Sequence, residues 1–515
     1  MSKVVFLAVN AKYVHSSLSV WLLAAAMAKN HGTKHDVKVV EATINQNIEE
    51  IACTVADFNP DIVGISAYIW NCGLLPPLLG LLRDKLPDAL LVLGGPEAVF
   101  NEKYWLENGA DHVLFGHCDF NIDPYTDEYF EALGDRISYI ETSRGCPFSC
   151  AFCLSAKSSV EYLPLDIVKE RIFKLSRSKT KTIKFVDRTF NCNAKRAYEL
   201  FEYVIGLDTS CKFHFEVAAD LFDEKALSLL RTAPAGRIQF EIGLQSFFEP
   251  ALEAASRKTD LIKAEKNIKS LLEAQNCHIH ADLIAGLPYE TLDDFRISFN
   301  RAYQLGAHTL QLGFLKLLHG SRLKEQADGK VPTDGTWGIL YDKNPPYEIQ
   351  SSTWLSCDDI KILKSTENAL QRTYNKGRFL TTIEYVLSVS KQTAFDFYHK
   401  LGSAFPNRKT QLEDYIYEIY EFCSRQAGIE NNILCDKLLY DWLSMVKGKN
   451  LPVFLKERFL RKDKLREAMY EAAQSNLGRK PERNEYAVLS SGSGIFVDSK
   501  SVNPVTGLYE IFIVK

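Results

Sequence analysis

Three cysteines in one short segment constrain this chain more than any other feature. Cys146, Cys150 and Cys153 lie in the run ETSRGCPFSCAFC (141–153) with the spacing CxxxCxxC. Three thiolates on one loop can bind three irons of a 4Fe-4S cluster and leave the fourth iron open for another ligand. A structural zinc site would need further ligands at a distance, and a disulfide framework would need a secreted chain. The spacing therefore favours a cluster with one open iron.

The cysteine run resembles that of the radical S-adenosylmethionine (SAM) family, in which an aromatic residue, here Phe152, precedes the third cysteine. The resemblance implies that SAM binds at the open iron, with Phe152 beside it, and is cleaved reductively to a 5′-deoxyadenosyl radical. It also implies an electron donor such as flavodoxin or ferredoxin. A cluster with an open iron is labile to oxygen, so we expect an anaerobic habitat.

Length and charge narrow the class of protein further. The chain has 515 residues, more than one hydrophobic core usually organises, so we expect two or three domains. A formal net charge of -4 gives no general electrostatic case for nucleic acid binding. The first apolar run is too short to span a membrane and is not followed by a small-residue cleavage site. We therefore expect a cytoplasmic protein that binds neither nucleic acid nor membrane.

Residues 1–120 are predicted to form a doubly wound parallel sheet. Short apolar runs alternate with helical stretches, which is typical of βα units with helices on both faces of the sheet. The predicted strands are 3–9, 37–41, 61–67, 89–93 and 112–115. Ligands of such sheets bind at the carboxyl ends of the strands, where the loops 10–17, 66–71 and 94–97 would lie. No GxGxxG follows the first strand, so a dinucleotide site is poorly supported.

These loops resemble those of the cobalamin-binding domain that precedes many radical SAM cores, in which Gly-Gly-Pro-Glu recurs after the fourth strand. The resemblance implies a Rossmann-like domain that binds cobalamin. The candidate residues are Tyr13, His15, Ser16, Ser66, Tyr68, Trp70, Gly94, Gly95, Pro96 and Glu97. The motif Asp-x-His-x-x-Gly is absent, since His15 has no glycine three residues later. The resemblance then implies base-off cobalamin, its lower face covered by residues such as Tyr68 or Trp70.

Residues 136–320 are predicted to form the partial (β/α)6 barrel of radical SAM enzymes. Six further strand-like runs alternate with helical segments around and behind the cysteine loop. The runs are 138–142, 182–186, 212–217, 237–243, 278–285 and 309–314. The chemistry of such barrels lies at the carboxyl ends of the strands. Polar residues and glycines do stand near those ends in this sequence.

The resemblance gives several of these residues a role in binding SAM. Glu216 and Gln245, with Ser246 beside them, would bind its ribose and methionyl groups. Arg257 would bind its carboxylate, for which a planar guanidinium is chemically suited. The segment from Gly286 to Pro288 would lie on the adenine side.

Residues 321–515 are predicted to form a mixed, mainly helical accessory domain of unknown role. A loop-rich stretch with Trp337, Tyr341 and Tyr347 marks a boundary and is a candidate substrate lid. Helices are predicted from about 358 to 477, followed by short paired strands near the end of the chain. The arrangement resembles an uncharacterised family that follows cobalamin-fused radical SAM cores in anaerobic bacteria.

The sequence as a whole predicts a cobalamin-dependent radical SAM enzyme. By resemblance, its commonest reaction is methylation of an unactivated carbon, here on an unknown small molecule or peptide. A radical SAM enzyme without cobalamin, catalysing rearrangement or cyclisation, stays open because the linker after 115–120 is short and the histidine motif is missing. A cluster-binding sensor without turnover is the other alternative. A methylthiotransferase is disfavoured because Cys53, Cys72 and Cys118 are too widely spaced for a second cluster.

Overall fold

Two parallel sheets and a C-terminal helical layer make up the protein. The computed structural model describes residues 1–406, 410–447, 451–456, 463–479 and 485–514. The strands are β1 (Ser2–Asn10), β2 (His35–Thr43), β3 (Ile62–Ser66), β4 (Leu90–Gly94), β5 (His112–Val113), β6 (Ser138–Ile140), β7 (Ser143–Arg144), β8 (Glu161–Tyr162), β9 (Thr182–Phe185), β10 (Lys212–Val217), β11 (Ile238–Gln245), β12 (His278–Ala285), β13 (Thr309–Phe314), β14 (Leu340–Tyr341), β15 (Ile349–Ser351), β16 (Tyr486–Val488), β17 (Gly494–Val502) and β18 (Tyr509–Val514). The helices are α1 (Leu18–His31), α2 (Ile48–Ala56), α3 (Leu75–Lys85), α4 (Pro96–Val99), α5 (Glu102–Glu107), α6 (Asp127–Leu133), α7 (Leu165–Ser176), α8 (Ala194–Gly206), α9 (Glu224–Leu230), α10 (Glu249–Ala254), α11 (Leu261–Glu273), α12 (Leu292–Gln304), α13 (Arg322–Ala327), α14 (Cys357–Arg372), α15 (Leu380–Ser390), α16 (Ala394–Ala404), α17 (Leu412–Ser424), α18 (Asn431–Met445), α19 (Val453–Lys456) and α20 (Asp463–Leu477).

The N-terminal sheet is parallel throughout, with the strand order β2-β1-β3-β4-β5. Alternate residues of β1 are buried on its two faces: Val5 and Leu7 in one cluster, Val4 and Phe6 in another. This two-sided burial confirms the predicted doubly wound sheet. The strand order reverses between β1 and β3, so the loops after these two strands flank the point where such sheets bind ligands. Strand β5 is shorter than predicted because it pairs with β4 over only two residues.

The central sheet has six parallel strands in sequential order, β6-β9-β10-β11-β12-β13. This is the order of the predicted partial barrel, and the fold class is confirmed. Side chains alternate between two environments along each strand. Phe185, Phe215 and Phe240 are fully buried against one another on the helix-covered side. The opposite, inner side carries partly exposed polar residues.

Both edge strands of the central sheet are covered by other parts of the chain. Along β6, the Ile137 amide donates to the Val14 carbonyl (2.8 Å), and Ser16 Oγ donates to the Ile137 carbonyl (2.8 Å). Beyond β13, residues 340–351 form a short antiparallel hairpin, which we call the bridging hairpin. Its Ile349 amide donates to the Leu315 carbonyl, 3.0 Å away, and so extends the barrel edge. The N-terminal sheet therefore contacts one edge, and the C-terminal region covers the other.

The C-terminal helices share their core with the barrel, since Phe299 of α12 contacts Phe395 and Tyr398 of α16. The limits 1–120, 136–320 and 321–515 thus stay a proposal for how the chain divides. No helix in the described ranges is long and apolar enough to cross a membrane.

The turn between β17 and β18 lies against the amino ends of the barrel strands. Lys212 Nζ donates to the Pro504 carbonyl (3.2 Å), and a ring nitrogen of His278 contacts the Val505 carbonyl (2.9 Å). We call residues 503–507 the C-terminal turn. Gly236 lies directly beneath it, and a Cβ there would overlap the Pro504 carbonyl oxygen. The C-terminal turn therefore covers the barrel at the end opposite to the cysteine loop.

Replacing Gly236 by alanine is expected to loosen the C-terminal turn. Gly236 and Gly306 have nearly equal positive φ angles, 74° and 75°, so alanine costs about 1 kcal/mol at either position. Only at Gly236 would the methyl group also meet a neighbour. We expect Gly236→Ala to lower the melting temperature by a few degrees more than Gly306→Ala, and to make the C-terminal strands more sensitive to limited proteolysis. Equal decreases in melting temperature for the two variants would show that the turn does not depend on Gly236.

Candidate active site

The cysteine loop is held open by backbone contacts with three other segments. The Cys146 amide donates to Ser158 Oγ (2.9 Å), and the Ala151 amide donates to the Ala255 carbonyl (2.8 Å). The Ala151 carbonyl accepts from the amide of Leu323 (2.9 Å). Gly145, with φ of 101°, packs so closely on the Ser159 carbonyl that no side chain fits there. These contacts fix the shape of the loop.

The three thiols lie close enough to influence one another. Burial raises the pKa of the Cys153 thiol, and the thiols of Cys150 and Cys146 raise it further. In the described part of the chain, no three His, Cys, Asp or Glu side chains are arranged to hold a single metal ion. A cubane cluster does not need such an arrangement, because each thiolate binds a different iron. The loop therefore fits the predicted cluster.

Arg257 and Gln245 lie at the end of the barrel that carries the cysteine loop. Arg257 Nη1 is 3.6 Å from Cys150 Sγ, and its Nη2 donates to the Gly243 carbonyl (2.8 Å). Gln245 adopts a left-handed backbone conformation, with φ of 70°. Its side-chain nitrogen lies over Gly243, and its buried Oε1 has no hydrogen-bond donor among the residues that the structure describes. An unpartnered buried acceptor is costly, so Gln245 fits the predicted role of receiving a donor from SAM.

Ser246 is placed differently from its neighbour Gln245. Its Oγ is fully buried and donates to Glu290 Oε1 (2.5 Å), while it accepts from the Phe248 amide (2.9 Å). Ser298 Oγ also donates to Glu290 (3.1 Å). The Ser246 hydroxyl is thus engaged beneath α12 and holds the end of β11, and a contact between Ser246 and SAM stays a prediction.

Gly286 and Pro288 are also buried rather than open at the strand end. Gly286 has φ of 98°, and a Cβ there would come within 2.9 Å of the Ile349 side chain of the bridging hairpin. The glycine is thus required by contact with this hairpin. A role for Gly286 and Pro288 on the adenine side of SAM stays a prediction.

The inner wall of the barrel carries a network of charged residues, of which the sequence analysis did not single out Lys184 and His214. Lys184 Nζ is 3.0 Å from Glu241 Oε2 and 3.6 Å from Glu216 Oε1, and His214 Nε2 is 2.9 Å from Glu241 Oε2. Burial opposes ionisation of Glu241, but the hydrogen bond from His214 and the charge of Lys184 outweigh it and lower its pKa to about 2. Burial raises the pKa of Glu216. Glu216 therefore lies within a charged network rather than alone.

The sequence contains a pattern that could have predicted this charged network. Buried parallel strands usually read as continuous apolar runs, whereas β10 reads KFHFEV and β12 reads HIHADLIA, with polar residues at every second position. His280 Nε2 and Asp282 Oδ1 on β12 lie 3.0 Å apart, although the contact is not aligned as a hydrogen bond. The alternation indicates that one face of the sheet lines a polar interior.

On the N-terminal sheet, four of the predicted cobalamin residues remain open. Tyr13 is 74% exposed and Trp70 is 44% exposed. Tyr68 and Trp70 stack with ring centroids 4.4 Å apart. A Cβ at Gly94 would meet nothing within 4 Å. Stacked exposed aromatic rings next to open backbone fit a large flat cofactor, and these residues stay the candidates for binding it.

Three other predicted cobalamin residues use their side chains elsewhere. His15 Nδ1 lies 2.6 Å from the Tyr139 hydroxyl on β6, Ser16 donates to the Ile137 carbonyl, and Glu97 accepts from the Tyr347 hydroxyl. Each of these side chains therefore links a loop to another region, and a contact of His15, Ser16 or Glu97 with cobalamin stays a prediction.

The remaining three predicted residues contribute mainly backbone to these loops. The Ser66 carbonyl accepts from Asn71 Nδ2 (2.9 Å), and Pro96 begins α4. Gly95 has φ of 102°, and a Cβ there would lie 2.7 Å from the Ala67 carbonyl oxygen. The need for glycine at 95 thus comes from packing between neighbouring strand ends.

Loops at the carboxyl ends of the N-terminal strands contact both edges of the barrel. The loop 10–17 contacts β6, the first barrel strand. The loop 94–97 contacts the bridging hairpin, which lies beyond β13, the last strand of the barrel. A buried ion pair between Glu41 and Arg136 (3.0 Å) fixes the first contact. The fold and the site thus define a barrel with a cysteine loop, bordered by a second ligand-binding sheet.

Family models match three successive parts of the chain. They are the B12 binding domain over residues 4–119, the Radical SAM superfamily over residues 140–302, and a protein of unknown function (DUF4080) over residues 335–487. The chain therefore combines a B12 binding domain with a Radical SAM domain, and its cofactors are a 4Fe-4S cluster, SAM and cobalamin. The two domains and the three cofactors predicted from the sequence are confirmed.

Individual relatives are distant. The uncharacterized methyltransferase PH0819 of Pyrococcus horikoshii is 23% identical over 352 residues, covering 57% of this chain and 75% of that protein. The cobalamin-dependent radical SAM methyltransferase TokK of Streptomyces tokunonensis is 21% identical over 325 residues, covering 51% of this chain and 47% of that protein. The solved structure of OxsB with aqua-cobalamin and SAM superposes with a TM-score of 0.56 at 13% identity, covering 94% of this chain and 82% of that chain, and shows a shared fold.

Glu290 is expected to make the stability of the protein depend on pH. Burial raises its pKa from 4.5 to about 7, against the hydrogen bonds from Ser246 and Ser298. Between these two values the folded chain holds a proton that the unfolded chain has lost. Stability therefore falls as pH rises through this window, by about 3 kcal/mol at most.

The change in melting temperature of the apoprotein from pH 5 to pH 8 tests this expectation. Glu290→Gln removes the titration and keeps an acceptor for both serines, so its melting temperature should fall less than that of the wild type. Glu253→Gln, at an exposed position of α10, is the control and should behave like the wild type. Identical pH profiles for Glu290→Gln and the wild type would contradict the role of Glu290.

Proposed function

We propose that this protein methylates an unactivated carbon of an unknown small-molecule or peptide substrate, with a flavodoxin-like or ferredoxin-like donor supplying electrons. The observation that carries the proposal is the position of the two sites. The loops of the B12-binding sheet contact both edges of the barrel that holds the cysteine loop. A substrate bound between the barrel and the B12-binding sheet could reach both the SAM site and the cobalamin site.

The residues of the chain have separate tasks in this proposal. When bound, the cluster with SAM supplies a carbon-centred radical and cobalamin supplies a methyl group. Cys146, Cys150 and Cys153 would hold the cluster, and Arg257, beside Cys150, would bind the SAM carboxylate. The stacked rings of Tyr68 and Trp70 would lie against cobalamin.

The barrel interior would keep the reaction away from water. The C-terminal turn covers the amino ends of the strands, while the N-terminal sheet and the bridging hairpin cover the open side. Glu216, Lys184 and Glu241 would then present fixed charges to the bound molecules. Fixed polar groups in a site shielded from water act more strongly than they would in solution.

Removal of the three loop cysteines tests the first part of the proposal. After anaerobic reconstitution, the wild type should contain about four irons and form 5′-deoxyadenosine from SAM with a strong reductant. The triple variant Cys146→Ala, Cys150→Ala, Cys153→Ala should lose both properties. A control that removes Cys53 and Cys357 should keep them, because both thiols are exposed and lie outside the cysteine loop and the barrel strands. A full iron complement in the first variant would refute the cluster assignment.

Gly94 tests cobalamin binding without disturbing the fold. Valine at Gly94 has open space on the protein side, so we expect a wild-type melting temperature but much weaker cobalamin binding in a spectroscopic titration. Gly95→Ala should lower the melting temperature as well, because its methyl group would strike Ala67. If Gly94→Val binds cobalamin as tightly as the wild type, the cofactor does not lie against this strand end.

A wild type that binds no cobalamin would support the radical SAM enzyme without cobalamin instead.

A further inference from the structure

The bridging hairpin touches both predicted cofactor sites. The hydroxyl of Tyr347 donates to the carboxylate of Glu97, in the loop that follows β4 of the B12-binding sheet. Two residues further on, the side chain of Ile349 lies over Gly286, at the end of barrel strand β12. The hairpin belongs to the C-terminal region, whose role described so far is only to cover the barrel.

The hydrogen bond between Tyr347 and Glu97 is enclosed by protein. Glu97 is only 6% exposed and Tyr347 only 5%. Burial raises the pKa of Glu97, while the hydrogen bond from Tyr347 opposes this shift. A buried carboxyl group without a donor is costly, so the hydrogen bond from Tyr347 stabilises the Glu97 side chain in this position.

The barrel fixes the direction in which Tyr347 points. The Leu317 amide donates to the Tyr347 carbonyl (2.9 Å), and the Ile349 amide donates to the Leu315 carbonyl (3.0 Å). Tyr347 itself has φ of 57°, a left-handed conformation that costs a residue with a side chain about 1 kcal/mol. Strain of this kind persists only where the surroundings impose it. Here the conformation directs the phenol ring of Tyr347 at Glu97.

A second contact supports the same arrangement. Phe100, just after α4, packs over Gly320, where a Cβ would overlap the Phe100 ring. The segment from 94 to 100 is therefore attached to the barrel side at two points, one polar and one apolar. Both points lie beyond β13.

We infer that the bridging hairpin couples the two cofactor sites, and that Tyr347 is a positioning residue for cobalamin. Through Glu97, Tyr347 holds the loop 94–97 at a fixed distance from Gly286 and hence from the SAM end of the barrel. The inference rests on the proposed function, because it assigns this role toward cobalamin. It gives the C-terminal region a task in the reaction without placing a catalytic residue there.

Tyr347→Phe tests the inference, with Tyr341→Phe as a matched control. Tyr341 lies on the same hairpin and is 6% exposed, but its hydroxyl contacts Asp328 and Lys324 of the barrel side. Loss of the Tyr347 hydroxyl should raise the dissociation constant for hydroxocobalamin roughly tenfold, since the buried carboxyl group of Glu97 loses its hydrogen bond. Tyr341→Phe should leave it unchanged. Iron content, and 5′-deoxyadenosine formation without cobalamin, should match the wild type in both variants.

Glu97→Met probes the same contact from the other side. If the two residues act as a pair, the double variant should bind cobalamin no more weakly than the worse single variant. If the losses of cobalamin affinity in the two single variants add up in the double variant, the coupling between Tyr347 and Glu97 is refuted. An unchanged dissociation constant in Tyr347→Phe, or an equal change in Tyr341→Phe, would overturn the positioning role.

Hydrogen exchange separates this inference from the proposed function. The amides of 95–100 should exchange faster in Tyr347→Phe than in Tyr341→Phe, even in the protein without cofactors. A wild type that binds no cobalamin would refute the cobalamin part of the proposed function and the positioning role with it, while faster exchange would still show the contact itself. Unchanged exchange would refute the contact whether or not cobalamin binds.

Discussion

The two unpaired edges of the six-stranded barrel sheet constrain the rest of the structure. Six parallel strands that curve without closing leave backbone amides and carbonyls exposed along β6 and β13, and such edges must be covered. The loop 10–17 covers the first edge through Ile137, and the bridging hairpin covers the second through Leu315 and Leu317. Covering both edges also places the B12-binding sheet across the open side of the barrel.

The barrel wall divides its side chains by environment. The outer side buries a continuous layer of phenylalanines, including Phe185, Phe215 and Phe240, which supplies apolar stabilisation. The inner side keeps Lys184 and Glu241 ionised only because they pair with each other and with His214. Buried charges without such partners would be neutralised or strongly destabilising. The polar interior therefore lowers the stability of the fold, and a functional site inside the barrel explains why these residues are present.

Much of the fold could be predicted because its signals are local. The alternation of strands and helices gave both parallel sheets, and the CxxxCxxC spacing gave the cluster loop from residues 146 to 153. Helix and strand limits differed where pairing was short, as at β5, since a two-residue strand has no periodic pattern to read. The candidate site was predicted at the level of loops, and the structure leaves Trp70 exposed and open space beside Gly94.

The sequence by itself determined which loops carry the chemistry, because glycines, cysteines and strand ends are encoded within a few neighbouring residues. Only the tertiary structure decided what individual side chains do there. Glu97 looked like a cofactor residue, but it accepts a hydrogen bond from Tyr347, 250 positions away. His15 contacts Tyr139, 124 positions away. Side chains at a strand end can point to a ligand or to another segment, and this choice depends on packing between regions that no local pattern records.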